Sequence, residues 1–349
     1  MDVTIADVAK HAGVSRCTVT NVIHNKPEVT SQTKERVLRS IQELGFTPNE
    51  AAQNLRSRKR TLTGKQLTGN IGCIIYDTFN KYKDSVYADI MIGIDQELIN
   101  KNYHLFFYHK LGQFVHDPLL LNKLIDVNKI DGLITLATQL EGIYDRVHER
   151  IKNVISIGES LGNYDCISPN LFKAGYDAVK YLAEFGHKRI AFIGDKMWDE
   201  GLSDKFSGYG KAIKDYNLEY DETLIEKIYP SGENDETSGY ILMKKILEKT
   251  THMPTAVFST SDYASPGVLR AIKEKGLNVP EDISIVGCGD DFGGLGIMDP
   301  PITTFMVKKI EIGELAVRKL IERINNPYTT VTKTIVPLDL IERKSVKKL

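Results

Sequence analysis

Three side chains close to the amino terminus are of types that contact the edges of DNA bases. Arg16 suits the O6 and N7 atoms of guanine, Asn21 suits adenine, and the small apolar Cys17 suits the methyl group of thymine. On a helix, Asn21 lies one turn beyond Cys17, on the same face, and Arg16 is next to Cys17 in the first turn. A generic three-helix bundle whose polar residues merely face water fits the same pattern, so both interpretations stay open here.

Hydroxyl and imidazole groups near these residues suit contacts to the DNA backbone, which orient a protein without reading sequence. The candidates are Thr4, Ser15, Thr18, His24, Thr30 and Thr33. The charge distribution agrees with a polyanionic partner for this region alone. Residues 1–60 contain ten Lys and Arg against six Asp and Glu, a net charge of +4, whereas the remainder carries −5. A solvated basic surface accounts for the charge equally well.

Three short helices are predicted to position these groups. Gly13 ends the first apolar pattern, Ser15 can cap the second helix, Thr30 or Ser31 can cap the third, and Gly45 closes it. The apolar positions that recur at helical spacing are Ile5, Val8, Ala9 and Ala12, then Val19, Val22 and Ile23, then Val37, Leu38, Ile41 and Leu44. The short turn between the first two helices has helix-turn-helix proportions.

A weak helical segment follows at residues 48–55. Its apolar side chains are only Ala51, Ala52 and Leu55, too few for an independent helix in water. The basic stretch Arg56–Gly69 is predicted to be a linker.

From Ile71 onward, strand patterns alternate with amphipathic helices. This order predicts parallel sheets with helices on both faces, and the number of units predicts two lobes. The expected strands are Ile71–Tyr76, Tyr103–Tyr108, Gly132–Leu136, Val154–Ile157, Arg189–Ile193, Thr255–Ser259, Ile283–Gly287 and a final strand Thr332–Ile341. The expected helices are Val86–Asn100, Lys173–Phe185, Ser203–Tyr216, Ser238–Lys249, Ser265–Lys275 and Ile310–Ile324.

Several classes of protein are disfavoured by the sequence. The start of the chain lacks the pattern of a secretory signal, and no apolar run approaches the ~20 residues of a membrane span. Four scattered cysteines form no CxxC pair and indicate a reducing compartment, with the cytoplasm as the simplest expectation. No catalytic or nucleotide-binding motif is present, so we expect no enzyme activity, no cofactor and no metal.

The amino-terminal region closely resembles the headpiece of the lac repressor (LacI/GalR) family. The matching strings are Val3–Ser15, Thr18–Thr20, Glu35–Val37 and Gly45–Asn49. The resemblance implies a homodimer on a pseudo-palindromic operator, backbone contacts from Asn49 and Ala52, and a hinge segment that becomes helical only on DNA. It also implies that Leu55 wedges between base pairs in the minor groove, which is physically sound for an apolar side chain. Thr20, Asn21 and Phe46 depart from the usual family residues, which predicts an atypical half-site.

The resemblance continues, more loosely, to about residue 343. Its strings include Gly186–Gly194, Pro254–Phe258, Val279–Gly287 and Pro300–Thr304. It implies an all-α helix-turn-helix headpiece joined to an α/β, two-lobed core like a periplasmic sugar-binding protein, with parallel sheets and three crossover segments. The predicted domains are a headpiece at 1–47, a hinge and linker at 48–69, and an effector-binding and dimerisation domain at 70–349. Lobe one is expected at about 70–161 and 292–325, and lobe two at about 162–291 and 326–343.

The family's cleft residues map onto a changed set in this chain. The positions that the resemblance assigns to the effector are Tyr82, Asn170, Trp198, Lys205, Ser261, Asp262 and Asp290. Lys205 stands where many sugar-sensing members have Arg. The compact ammonium of Lys therefore replaces a planar guanidinium, which can donate two hydrogen bonds side by side. A free hexose is therefore not a safe expectation, and an anionic ligand such as a sugar phosphate is an alternative.

These observations predict a sequence-specific transcriptional repressor of a carbohydrate-utilisation operon. A small-molecule effector in the cleft is expected to shift the population of lobe arrangements and thereby the operator affinity. A regulator with a degenerate cleft, or one that answers to a protein partner, remains an alternative. A free solute-binding protein fits less well, because of the headpiece and the missing signal peptide.

Overall fold

The computed structural model describes residues 3–23, 29–46, 66–77, 85–126, 128–138, 140–158, 160–194, 199–227, 236–289 and 294–349. The chain divides into two compact units, Met1–Leu67 and Thr68–Leu349. Each unit has its own hydrophobic core.

The first unit consists of three helices around a small apolar core. These are α1 (Ile5–Ala12), α2 (Arg16–Ile23) and α3 (Ser31–Leu44). Gly13 and Gly45 end α1 and α3 in the left-handed conformation, which glycine adopts without strain. Val8, Val19 and Val37, one from each helix, are fully buried in the shared core.

The second unit contains two six-stranded sheets. In lobe one the strand order is β11-β5-β4-β3-β1-β2, and in lobe two it is β12-β10-β9-β8-β6-β7. All pairings are parallel except that of β10 with β12. The strands are β1 (Asn70–Ile75), β2 (His104–Lys110), β3 (Gly132–Leu136), β4 (Val154–Ile157), β5 (Asp165–Pro169), β6 (Ile190–Gly194), β7 (Ile225–Lys227), β8 (Ala256–Ser259), β9 (Ser284–Gly289), β10 (Thr303–Met306), β11 (Lys333–Val336) and β12 (Asp339–Ile341).

The chain passes from one sheet to the other three times: after β5, after β10, and between β11 and β12. These passages correct the predicted lobe boundaries in three places. Asp165–Pro169 belongs to lobe one, because it pairs with β4 and β11. Thr303–Met306 belongs to lobe two, because it pairs with β9. The single final strand expected at 332–341 is two strands in different sheets, separated by Pro337, which has no N–H to continue a ladder.

Nine helices accompany the two sheets within the part of the second unit that the structure describes. They are α4 (Ser85–Asn100), α5 (Leu111–His116), α6 (Pro118–Leu124), α7 (Tyr144–Arg150), α8 (Leu171–Glu184), α9 (Asp199–Asp215), α10 (Glu236–Lys249), α11 (Ser265–Glu274) and α12 (Lys309–Asn325). None of the described helices is long and apolar enough to cross a membrane.

Three helix pairs pack through reciprocal glycines. In each pair, a glycine on either helix faces backbone of the other so closely that no Cβ would fit. The pairs are α4 with α12 through Gly93 and Gly313, α8 with α9 through Gly175 and Gly208, and α10 with α11 through Gly239 and Gly267. Their helix axes therefore lie closer together than ordinary side chains permit.

Apolar side chains of alternating residues in β6 enter different cores, as a two-faced parallel sheet requires. Ala191 and Ile193 join the cluster that contains α10 and α11, whereas Ile190 and Phe192 join the cluster that contains α8 and α9. In lobe one, α12 covers β3, β4 and β5 and packs along α4.

Candidate nucleic-acid interface and ligand cleft

The exposed face of α2 carries the residues predicted to read bases. Val19 and Val22 turn inward and are buried, which directs Arg16 and Cys17 to the solvent, with Asn21 half-buried beside them. Arg16 has no hydrogen bond from its guanidinium to the described residues, so its donors remain available. Thr20 lies on the same face and donates its hydroxyl proton to the Arg16 carbonyl at 2.9 Å. Sequence reasoning noted Thr20 only as a departure from the family pattern, although its i+4 relation to Arg16 was readable.

The hydroxyls predicted to contact phosphates cluster at helix amino termini. Thr4 caps α1 and forms a capping box with Asp7, in which the Thr4 hydroxyl donates to the Asp7 carboxylate at 2.6 Å. This hydrogen bond lowers the pKa of Asp7. Ser15 accepts from the Thr18 backbone N–H at 3.1 Å at the start of α2.

The third helix begins in the same way. Thr30 caps α3 by accepting from the Thr33 backbone N–H, and its hydroxyl also donates to the Thr33 hydroxyl at 2.9 Å. Thr4, Ser15 and Thr30 thus occupy helix amino termini, where backbone N–H groups and the helix dipole favour a phosphate.

Several predicted site residues lie outside the described residues. They are His24, Asn49, Ala52, Leu55, Tyr82, Trp198 and Asp290. Their assignments remain predictions.

In the second unit, Lys205 and Ser261 come together at the carboxyl end of β8. Ligands of open parallel sheets bind beyond the carboxyl ends of the strands. The Lys205 ammonium donates to the Thr260 carbonyl oxygen at 2.7 Å, and Thr260 is the first residue after β8. The Ser261 hydroxyl accepts from the Tyr263 backbone N–H at 3.2 Å, which shapes the turn that follows. Lys205 is partly exposed and retains two N–H donors.

Asp262, another predicted effector residue, is hydrogen-bonded within lobe two. Its side chain is fully buried (0% exposed), and its carboxylate accepts the hydroxyl proton of Thr304 from β10 at 3.1 Å. Gly287 of β9 makes room for this carboxylate, because a Cβ there would lie 2.5 Å from an Asp262 oxygen. In this structure the Asp262 carboxylate therefore holds the loop after β8 against β9 and β10, and its predicted contact to an effector remains a prediction.

Asn170 lies where two of the three crossovers run side by side. It directly follows β5, and its backbone N–H donates to the carbonyl of Val336, the last residue of β11, at 2.9 Å. Its side-chain oxygen caps α8 by accepting from the Lys173 backbone N–H at 3.0 Å. Its amide nitrogen makes no hydrogen bond to any residue that the structure describes.

Sequence reasoning missed a polar group at the carboxyl ends of β1 and β2. The Asp77 carboxylate accepts from the Gly112 backbone N–H at 2.9 Å, and the Lys110 ammonium donates to the Asp77 carbonyl at 2.8 Å. Asp77 follows β1 by two residues. The strand pattern in the sequence therefore already indicated that Asp77 lies at the carboxyl end of a strand. Among the described residues, no group of three or more His, Cys, Asp or Glu could hold a metal ion.

A helix-turn-helix unit with a polar, exposed face on its second helix, followed by a unit with two parallel-dominated sheets, is the arrangement of a DNA-binding regulator. Residues 4–49 match the family model of bacterial regulatory proteins, lacI family, and residues 179–346 match that of a periplasmic binding protein-like domain. The chain is 32% identical over 351 residues to the HTH-type transcriptional repressor PurR of Pasteurella multocida (strain Pm70), covering 99% of this chain and 98% of that protein.

Solved structures agree with the sequence relatives. A transcriptional regulator CelR–cellobiose complex is 26% identical with a TM-score of 0.69, covering 98% of this chain and 99% of the other. The lac repressor dimer bound to operator and the anti-inducer ONPF shares the fold, with 22% identity and a TM-score of 0.70 over 99% of this chain and 100% of the other. The protein belongs to the lacI family of bacterial regulatory proteins. It is a DNA-binding transcriptional repressor with a sugar-binding-like domain.

Proposed function

We propose that this repressor binds a pseudo-palindromic operator as a homodimer and that a small molecule in the cleft sets its operator affinity. The proposal that the protein binds an operator rests on the exposed face of α2. Arg16, Cys17 and Asn21 lie on this side of the helix, and Val19 and Val22 are buried on the other. A recognition helix needs this division, because its inner face must pack while its outer face enters the major groove. Acting on DNA, the protein would work in the cytoplasm.

Contacts outside α2 supply orientation and bending in this proposal. Thr4, Ser15 and Thr30 present helix amino termini to the phosphates, with Thr18, Thr33 and His24 beside them. Asn49 and Ala52 contact the backbone, and Leu55 wedges into the minor groove. Kinking a base step costs a few kcal/mol, which the additional contacts on bent DNA offset.

We propose a carbohydrate or sugar phosphate as the effector, and a carbohydrate-utilisation operon as the target. The similarity to the CelR–cellobiose complex, at 26% identity, supports a sugar, whereas the sequence relative at 32% identity is a repressor named PurR, which favours a purine as the alternative effector. Lys205 supports an anionic group on it, because its ammonium is held at the cleft edge by one carbonyl and keeps two donors. Asn170, Ser261 and Asp77 supply neutral and acidic hydrogen-bonding groups for hydroxyls. Tyr82, Trp198 and Asp290 complete the proposed set.

Binding of this effector between the lobes favours one lobe arrangement, and we propose that this arrangement releases the operator. Corepression, in which the effector strengthens operator binding, is the alternative. Operator affinity measured with and without the effector distinguishes release from corepression. The size of the effect equals the difference in effector affinity between the DNA-bound and free states.

In vitro selection with the full-length protein and a random duplex pool tests the DNA half. Arg16→Ala should relax the preference at one base pair per half-site and cost about 1–3 kcal/mol there. Lys10→Ala, an exposed change on α1, removes the same charge and should at most weaken all sequences equally. If Arg16→Ala weakens all sequences equally as well, Arg16 contacts phosphate and does not read a base.

Leu55→Ala tests the wedge. Operator affinity should fall while weak non-specific binding stays nearly unchanged, since non-specific DNA is not kinked. An equal fall in both would refute the wedge.

A thermal-shift screen of the full-length protein tests the effector half. Cellobiose, ribose and their phosphorylated forms are added at equal concentrations, and a ligand at 100 times its Kd adds about 2.7 kcal/mol of stability. Lys205→Met should abolish the shift by a phosphorylated sugar, whereas Lys211→Met, which removes an exposed ion pair with Asp215 on the same helix, should not. No shift by any sugar would favour a degenerate cleft or a protein partner.

A further inference from the structure

A buried carboxylate holds the first residues of the second unit. Asp131 directly precedes β3 and is 1% exposed. Both of its oxygens accept from the Thr68 backbone N–H at 2.9 Å, and Oδ2 also accepts from the Gly69 N–H at 2.7 Å. Thr68 is the residue at which the chain arrives from the DNA-binding unit.

The backbone around this carboxylate is tied to three neighbouring strands. The Asp131 N–H donates to the Asn70 carbonyl at 2.8 Å, and the Asn153 side chain donates to the Asp131 carbonyl at 2.9 Å. The His104 N–H donates to the Gly69 carbonyl at 2.8 Å. Residues 68–70 are therefore bonded directly to the amino ends of β2 and β3, and Asn153, just before β4, holds Asp131 in turn.

This arrangement has a physical cost, because a charge buried among neutral donors carries a desolvation penalty. Asp165 in the same sheet also accepts a backbone N–H, that of Thr332 just before β11, but it is paired with Arg323, whereas the donors to Asp131 named above are neutral N–H groups. The negative charge of Asp131 acts, after burial itself, to raise the pKa of Tyr103 to about 12. What the carboxylate adds is short, charge-assisted bonds to two successive N–H groups, which define both position and direction of the backbone.

We propose that Asp131 is a positioning residue for operator binding, which acts by fixing the backbone of residues 68–70, where the second unit begins. The inference rests on the proposed dimeric operator complex. In such a complex the second headpiece binds intramolecularly, so its effective concentration depends on how tightly its attachment is defined. Releasing residues 68–70 lengthens the connection to the DNA-binding unit by residues that must be ordered again on specific DNA, which adds to the cost of binding. Non-specific binding needs no fixed spacing and is not affected.

Two substitutions remove the anchor in different ways. In Asp131→Asn the charge is lost, and the oxygen that accepts only from the Thr68 N–H becomes an amide nitrogen, although the oxygen shared by Thr68 and Gly69 can remain. Thr68→Pro removes the donor that contacts both oxygens and leaves the carboxylate with Gly69. Thr68→Val is the matched control, because it keeps this N–H and loses only the hydroxyl that accepts from the Asn70 N–H at 3.2 Å. Asp165→Asn is a stability control, because it disturbs another buried carboxylate of the same sheet far along the chain from Thr68.

The full-length variants are titrated with a duplex selected by the wild-type protein and with a scrambled duplex of equal length, after melting curves establish that each is folded. Asp131→Asn and Thr68→Pro should weaken selected-duplex binding about three- to tenfold, with scrambled-duplex binding unchanged. Thr68→Val and Asp165→Asn should retain the wild-type ratio of the two affinities, although Asp165→Asn melts earlier. The proposal is wrong if Asp131→Asn and Thr68→Pro both keep the wild-type ratio of selected-duplex to scrambled-duplex affinity. It is also wrong if Asp165→Asn loses as much selected-duplex affinity as they do. If the wild-type protein selects no duplex, the proposed function itself fails.

Discussion

The glycine contact between α8 and α9 makes a sharp prediction, because this helix pair offers both the test and its control. Gly175 is in α8, and a Cβ there would lie 2.9 Å from the carbonyl carbon of Lys205 and 3.1 Å from its Cα, and nearer still to its oxygen. Gly210 is in α9, the partner helix, and a Cβ there would meet nothing within 4 Å. We therefore compare Gly175→Ala with Gly210→Ala.

The expected magnitudes follow from two opposing contributions. Alanine is better than glycine inside a helix by about 1 kcal/mol, and both variants gain this. Only Gly175→Ala adds a clash, and rigid backbone on both sides prevents a rotamer change from relieving it. Overpacking of this kind costs about 1–3 kcal/mol, and the backbone contact puts the cost near the upper value. Gly210→Ala should gain about 1 kcal/mol and Gly175→Ala should lose about 2 kcal/mol, a separation of about 3 kcal/mol.

Calorimetry of the two purified variants measures the separation. For a domain of this size, about 3 kcal/mol corresponds to a difference in Tm of about 6 °C or more. Because the contact lies at the backbone of Lys205, Gly175→Ala should also weaken binding of any ligand that the screen identifies, while Gly210→Ala should not. Equal melting temperatures for the two variants would refute the close helix contact.

The remaining predictions concern buried polar groups. Asp165 accepts hydrogen bonds from the buried Arg323, so Asp165→Asn should cost about 3–5 kcal/mol in urea unfolding, against under about 1 kcal/mol for the exposed Glu184→Gln. Burial acts to raise the pKa of Asp165, but its hydrogen bonds outweigh burial, and the pKa lies below 3.8. The stability that Asp165 contributes should therefore be present above pH 3.8 and should be lost as pH falls through the lowered pKa. Burial lowers the pKa of His187 below 6.5, so the fold favours its neutral form and Tm should drop as pH falls below about 6.5. His187→Asn should make Tm less dependent on pH in this range. An unchanged dependence of Tm on pH would show that His187 is not the group responsible. Asn170→Ala should lose the α8 cap and about 1 kcal/mol, whereas Asn170→Asp should keep it; equal losses would show that the cap contributes nothing.

Features that depend on neighbouring residues were predictable from the sequence. The caps at Ser15 and Thr30 and the glycine ends at positions 13 and 45 are local, and the structure has them where the pattern indicated. The apolar strands Gly132–Leu136 and Val154–Ile157 were predicted to the residue, because each is buried on both faces and is apolar almost throughout.

Features that depend on distant segments were not predictable. The strand Asp165–Pro169 begins with a charged residue and ends with proline, and only its pairing with β4 and β11 makes it a strand. The Asp262 carboxylate follows β8 as a ligand contact would, but its burial is decided by Thr304, more than forty residues later. Adjacency to a strand end is visible in a sequence, whereas the direction of a side chain depends on what packs beside it.

The three passages between the sheets also bear on how this protein is made. Lobe one contains α12 and β11, which lie near the carboxyl terminus, and α12 covers β3, β4 and β5. A ribosome releases the chain from its amino terminus, so the headpiece can fold early while lobe one lacks a covering helix until residues 309–336 emerge. Lobe two is likewise incomplete until β12. The DNA-binding unit therefore emerges before the unit that follows it, and neither lobe is complete until the segment that contains β11 and β12 has been made.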